Sequence, residues 1–238
     1  MIWKAPRIWD GDECWVVGGG LSAARQFGVP EDIIDGVCSQ KMLPTEYSKY
    51  FEPIHNKHVI GVNNAYLIGD WIDVLFFGDC SWHLVHRTRL HKWPGIKITC
   101  CPRFASKRKE DSEGIKFLSK DTGKKHGLTS IRTKVSWNHN SGAAAINVAA
   151  HFGAKRIILL GFDMSTAVVG DKKVSHWHGS HSFPDRPLPS SLAKTYERHK
   201  RGFPVIAEDA KKLGVEIINT NPNSTITDFV KIPVKDLL

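Results

Sequence analysis

The stretch Ser141–Asp163, SGAAAINVAAHFGAKRIILLGFD, decides the fold class. Ala and Ile dominate residues 141–152 and Gly153 supplies a stop, so the sequence predicts a helix there. The buried-type run Ile157–Leu160 follows, and then Gly161, Phe162 and Asp163. Helix, glycine turn, apolar strand and glycine in that order make half of a βαβ unit. The segment Pro204–Leu213, Gly214, Val215–Ile218 repeats the pattern. Working outward, short β-rich runs recur at Cys14–Val17, Val59–Val62, Val74–Phe77, Ile96–Cys100 and Glu216–Asn219. Each is nearly continuous in apolar residues, as strands covered on both faces are. The expected fold is therefore α/β: a three-layer Rossmann-like domain with a mostly parallel sheet.

Composition agrees. The 238 residues are 41% hydrophobic and 24% charged, a globular balance that excludes collagen, coiled coil and a fully disordered tail. The longest apolar runs are four residues, far below the roughly 20 that span a bilayer. Residues 1–12 carry no apolar stretch of signal type, so a cytoplasmic location is expected. Five cysteines without a C-x-x-C spacing make a disulfide scaffold unexpected, and Cys14 and Cys100 read as small buried hydrophobes. No repeat or linker is visible, and one domain over 1–238 is expected. It would carry a basic irregular insertion at about 103–136 and a His-rich loop at about 165–203.

The formal charge is +9, with Lys and Arg concentrated at Lys107–Lys125 and Arg198–Arg201. Such charge suits a phosphate-bearing partner, nucleic acid included, and suits a solvated loop equally. A nucleic-acid-binding or nucleic-acid-modifying protein is one reading.

In an open parallel sheet, ligands bind beyond the carboxyl ends of the strands. Gly18, Gly19, Gly20 and Ser22 follow the first strand and open a short helix, an arrangement that aims backbone N–H groups at a phosphate. A tight turn needing positive φ explains the same residues. The spacing matches neither G-x-G-x-x-G nor a P-loop. Asn63 and Asn64, at the end of the second strand, could read a base or ribose or close a turn. Asp79 and Asp163 are carboxylates lifted off buried strands, fit for a ribose, a metal or a helix N-cap. Ser141 is expected to cap its helix, with Gly142 allowing close approach of a ligand. The densest chemistry is Ser175–His181, SHWHGSH. Its imidazoles could ligate a metal with Asp163 or His83, or take a proton from an acceptor hydroxyl. A solvent-facing loop is the third reading.

The succession GGGLS, VNNAY, DVLFFGD, SGAAAINVAAHFGAKRIILLGFD, SHWHGSH, VEIINTNPNS is similar to the glycosyltransferase family 42 sialyltransferases and to the related MptE-like and motility accessory factor proteins. It spans about Val16–Ser224. The resemblance implies a glycosyltransferase-A-like variant of the fold and a nucleotide-sugar donor as co-substrate. It also implies transfer to an acceptor glycan or other hydroxyl compound, without a metal. His181, and second His178, would be the general base, with Asp163 beside them. Gly18, Gly19, Gly20 and Ser22 would touch phosphate, Asn63, Asn64 and Asp79 the nucleotide, and Ser141 and Gly142 the ribose or phosphate. The MptE-like branch implies instead an ATP-dependent pyrophosphokinase using Mg2+. A homo-oligomer is compatible with either. Asn140 stands where the sialyltransferases have Arg, and the tyrosines that follow their G-x-D are absent from Ser165–Gly170.

Overall fold

The computed structural model describes residues 3–106, 113–179 and 192–238. Strands β1 (Glu13–Val17), β2 (His58–Val62), β3 (Val74–Phe77), β4 (Ile96–Thr99) and β5 (Lys116–Phe117) are followed by β6 (Ser119–Lys120), β7 (Lys134–Val135) and β8 (Arg156–Leu160). Then come β9 (Ala167–Val169), β10 (Lys172–Val174), β11 (Glu216–Asn219) and β12 (Val230–Lys231). The helices are α1 (Ser22–Gln26), α2 (Glu31–Cys38), α3 (Cys80–Lys92), α4 (Ser141–Phe152), α5 (Leu192–Lys200) and α6 (Phe203–Leu213). Eight strands form one sheet in the order β12-β11-β8-β1-β2-β3-β4-β5, and every pairing in it is parallel.

The period of two along each strand sorts side chains into two cores. Trp15, Val17, Leu75, Phe77, Ile158 and Leu160 face the layer that holds α1, α2 and the 3-10 segment Pro44–Ile54. Cys14, Val16, Phe76, Ile157 and Leu159 face α4 and α6. The three-layer expectation is met, as are all six sequence-predicted strands to within a residue at their ends.

Helix α4 is buried at every position but Ala150. A helix apolar all round needs cover on its outer side as well. Segment 128–136 provides it, held by Asn147: its Oδ1 accepts from the backbone N–H of Thr129 (3.1 Å) and Ser136 (3.0 Å), and its Nδ2 donates to the Thr129 carbonyl (3.1 Å). His151, one turn on, donates from Nε2 to the Lys134 carbonyl at 2.8 Å, and burial lowers its pKa. Gly153 ends the helix at φ +97°, as its sequence position predicts.

Several expectations are corrected. The N-cap of α4 is Asn140, not Ser141: Asn140 Oδ1 accepts from the N–H of Gly142 and Ala143, and Ser141 is the first helical residue. The segment 103–136 is not wholly irregular, since β5 adds the edge strand and β6 pairs with β7. Within 165–203, β9 and β10 form an antiparallel hairpin around Gly170 and Asp171, and α5 follows the undescribed residues 180–191. Cys80 and Cys101 form a disulfide joining the start of α3 to the end of β4. Cys14 and Cys100 are buried thiols whose pKa values are pushed up by burial, consistent with inert packing. No helix among the described residues is long and apolar enough to cross a membrane.

Replacing Asn147 with Ala strips partners from two buried donors and one acceptor. It is expected to cost about 3 kcal/mol, read as a lower urea midpoint with unchanged slope. A loss below about 1 kcal/mol would show that segment 128–136 is held by packing alone.

Candidate functional site

The sheet order places the reversal of chain direction between β1 and β8. From β1 the chain leaves for the α1/α2 layer and reaches β2. From β8 it runs through β9, β10 and Trp177, which pack on that same layer, before crossing to α6 on the other face and reaching β11. The carboxyl ends of two such neighbouring strands are where open α/β sheets take ligands.

The two exits are bonded to each other. Gly18 donates its N–H to the Leu160 carbonyl (2.7 Å) and Gly20 to the Gly161 carbonyl (2.8 Å). Asp163 accepts from the Ser22 N–H at 3.0 Å, from Ser22 Oγ, and from Asn221 Nδ2 at 2.8 Å. Glycine is required at these positions by contact, not by φ, which is not positive at Gly18, Gly19 or Gly20. A Cβ at Gly18 would lie 2.8 Å from the Gly161 carbonyl oxygen, and one at Gly20 2.5 Å from the Asp163 carboxyl carbon. The positive-φ reading is thus corrected. So is the expectation that the N–H groups of Gly18, Gly20 and Ser22 point at an external anion: the β8 exit and the Asp163 carboxylate hold them.

The imidazole-bearing segment sits on this bend. Trp177 donates its backbone N–H to the Gly19 carbonyl and its Nε1 to the Gly18 carbonyl, both at 2.9 Å. The Trp177 carbonyl accepts from Tyr47 Oη at 3.1 Å, so the segment is clamped from below as well. His176 lies over Gly19, where a Cβ would come within 2.6 Å of its ring. It stacks on His178 with centroids 5.1 Å apart, and Ser175 Oγ is 2.8 Å from its Nδ1. His178 is buried at 9% exposure. Ser180 and His181 lie outside the described residues.

The remaining predicted residues ring the same rim. Gly78, at the end of β3, is where a Cβ would meet the Trp137 ring at 2.1 Å, and Ser141 Oγ is its next neighbour. Gly142 packs against Phe162, which also lies against Gly18. Asp79 precedes α3 without making a capping bond to it. Asn63 has φ +52°, and its buried Oδ1 has no partner among the described residues. Asn140 Nδ2 is in the same condition. Asn64 is structural: its Oδ1 accepts from Trp82 Nε1 at 2.7 Å. Asp163 likewise carries a framework role through its three bonds.

Sequence reasoning missed α5. Tyr196 has a buried hydroxyl without a partner among the described residues, and burial and then the Asp163 charge raise its pKa, which places it near Asp163. His199, on the same helix, is lowered to about 4 by burial, with Arg198 and His139 adding repulsion. The run YERHK carries no apolar face that would have announced a helix over the rim. Among the described residues no group of three His, Cys, Asp or Glu is placed to hold a metal ion.

Fold and site together define an α/β protein with a mostly parallel sheet and a cluster of polar side chains at its carboxyl strand ends. No protein-family model matches the chain, and no curated protein matches it. Among solved structures it is similar to the sialyltransferase CstII from Campylobacter jejuni in complex with the substrate analogue cytidine-5'-monophosphate. The TM-score is 0.49 at 12% identity, covering 94% of this chain and 85% of that one. The same enzyme in complex with CMP-3FNeuAc matches with a TM-score of 0.47 at 12% identity, over 93% and 85% of the two chains.

Asp163→Ala removes the acceptor of three donors and is expected to destabilise by about 3 kcal/mol. Circular dichroism during thermal unfolding measures this; an unchanged Tm would return Asp163 to the list of purely catalytic candidates.

Proposed function

We propose that the protein is a nucleotide-sugar-dependent glycosyltransferase that moves a sugar to an acceptor hydroxyl, with an imidazole of the Ser175–His181 segment as general base. The observation that carries this reading is the clasp of Trp177 on Gly18 and Gly19, which brings its neighbours His176 and His178 to the carboxyl ends of β1 and β8. The order of motifs along the chain, similar to that of the family 42 sialyltransferases, supports it.

The unpartnered Asn63 Oδ1 and Asn140 Nδ2 fit a nucleoside, which would give an acceptor and a donor the partners they lack within the chain. Phe162, wedged between Gly18 and Gly142, forms an apolar floor there. The acceptor oxygen forms a bond to the anomeric carbon, whose bond to the phosphate oxygen breaks. The electron pair leaves with the nucleotide, and the acceptor proton passes to His181, or to His178. The base-donor and acceptor classes remain a nucleotide sugar and a hydroxyl compound; transfer to a nucleic-acid hydroxyl is a variant of the same chemistry. For the pyrophosphokinase reading, Mg2+ would be held by one or two carboxylates together with substrate phosphates. Asp79 and Asp163 would be those carboxylates, and Asp163 already accepts from Ser22 and Asn221.

A thermal-shift panel of nucleotides and nucleotide sugars is expected to return at least one stabilising ligand, since binding to the folded state raises Tm by mass action. With that donor, His181→Ala together with His178→Ala is expected to lower kcat by about a hundredfold to ten-thousandfold while nucleotide affinity holds. Unchanged turnover would refute the assignment, and ATP binding with activity lost to a chelator would favour the pyrophosphokinase.

A further inference from the structure

Beside these strand ends, three segments bring six cationic or basic side chains together. Lys120 and Lys125 come from the stretch after β5, His126 from the same stretch, His139 from the residue before the α4 N-cap, and Arg198 and His199 from α5. The His126 and His139 rings are 5.7 Å apart. His139 is lowered by desolvation and then by the charges of His126, Arg198, Lys120 and Lys125, and His199 by burial, Arg198 and His139. Each therefore lies within electrostatic reach of the next. Lys120 Nζ also sits 4.2 Å from the centroid of the Trp137 ring.

The fold enforces this crowding. Asn138, fully buried, accepts from the Gly127 N–H (2.8 Å), donates to the Gly127 carbonyl (3.1 Å), and gives its backbone N–H to the Lys125 carbonyl (2.9 Å). Gly202, at the start of α6, packs on the same side chain, where a Cβ would come within 2.7 Å of Oδ1. Asn138 and His139 both hold positive φ, 52° and 54°, an uncommon conformation for two consecutive non-glycine residues. The carboxylates of these segments serve other groups. Asp209 takes Lys124 at 2.7 Å and the Leu128 N–H at 2.8 Å, and Asp121 takes Thr129 Oγ1 at 2.7 Å. Among the described residues, Lys120, Lys125 and Arg198 pair with no carboxylate. Two further polar atoms lack partners in this neighbourhood: buried His126 Nδ1, and Nδ2 of Asn140, a residue 8% exposed at the start of the twelve-residue α4.

Like charges held together by the backbone, with unpartnered donors and a helix N-terminus adjoining, are a vacancy for a negative partner. We propose that the cluster of His126, His139, His199, Lys120, Lys125 and Arg198 binds a phosphoryl dianion. The site shares Asn140 with the nucleoside contact proposed above but does not depend on the glycosyltransferase reading, because any phosphate-bearing ligand meets the same basic groups. The phosphate belongs either to a nucleotide at the strand ends or to a second substrate beside it.

Titration calorimetry with inorganic phosphate tests the site. Arg198→Gln and His139→Gln alter side chains exposed enough for the fold to survive, which Tm verifies. The pair is expected to weaken phosphate about tenfold or more, from the loss of two charge-assisted contacts. Lys211→Gln with Lys212→Gln, which removes two charges from exposed positions at the end of α6, is the control for bulk electrostatics and is expected to change affinity little. A bound dianion favours charged imidazoles, so binding takes up protons. Sulfate, a dianion throughout, is expected to bind tighter at pH 6 than at pH 8 in the native protein, with a shallower slope in the double variant, which keeps His126 and His199. Competition between phosphate and a nucleoside monophosphate assigns the site to the nucleotide, and additive binding assigns it to a second substrate. Equal phosphate affinity in native protein and double variant, or a loss matched by Lys211→Gln with Lys212→Gln, overturns the proposal.

Discussion

The direct contact between the exits of β1 and β8 governs everything built above it. Both exits run first along the α1/α2 face of the sheet, and their first residues are bonded, Gly18 to Leu160 and Gly20 to Gly161. Backbones can approach that closely only where no Cβ intervenes, which makes the glycine run a packing requirement. Asp163 then completes the join by taking both the N–H and the hydroxyl of Ser22. A charged acceptor in such a position is stronger than a neutral one and costly to leave unpaired. The start of α1 is thereby fixed to the end of β8, and the strand ends acquire a rigid floor.

That floor explains where chemistry can and cannot reside. A phosphate competing for the first turn of α1 would have to displace a carboxylate of the chain itself. Open donors and acceptors lie instead farther round the rim, at Asn63, at Asn140 and near α5. The Trp177 clasp extends the rim upward, since its indole and backbone both bond the glycine carbonyls while Tyr47 holds it from the α2 side. His176 and His178 are carried into place as a consequence of that clasp.

The sheet was legible in the sequence because its interior strands are covered on both faces and so read as unbroken apolar runs. Edge strands β5 and β12 and the β9–β10 hairpin are two or three residues long and rich in lysine, which leaves no periodicity to detect. Helix α4 was legible through its composition and Gly153, but the cap slipped by one residue because Asn140 and Ser141 have equal capping chemistry. The Cys80–Cys101 bond joins residues 21 apart, and only the adjacency of β3 and β4 brings them together. The role of Asp163 was hidden for the same reason, its partner Ser22 being 141 positions away. Local pattern reveals elements; it does not reveal which strand ends will touch.

The net charge takes on meaning once placed. A solvated basic loop disperses its cations, because each gains most from water and loses by standing near another. Around His139 the reverse holds: two imidazoles are driven toward their neutral forms by burial and then by neighbouring charges, and the buried amide of Asn138 keeps the neighbours there. The cluster is therefore held in place by the fold, through the bonds of Asn138, and not by attractions among its own members. It lies where α4 begins and α5 crosses, beside the β1 and β8 exits. A substrate bridging the two would meet apolar and amide contacts at one end and concentrated positive charge at the other, an asymmetry matched by a nucleoside joined to a phosphate.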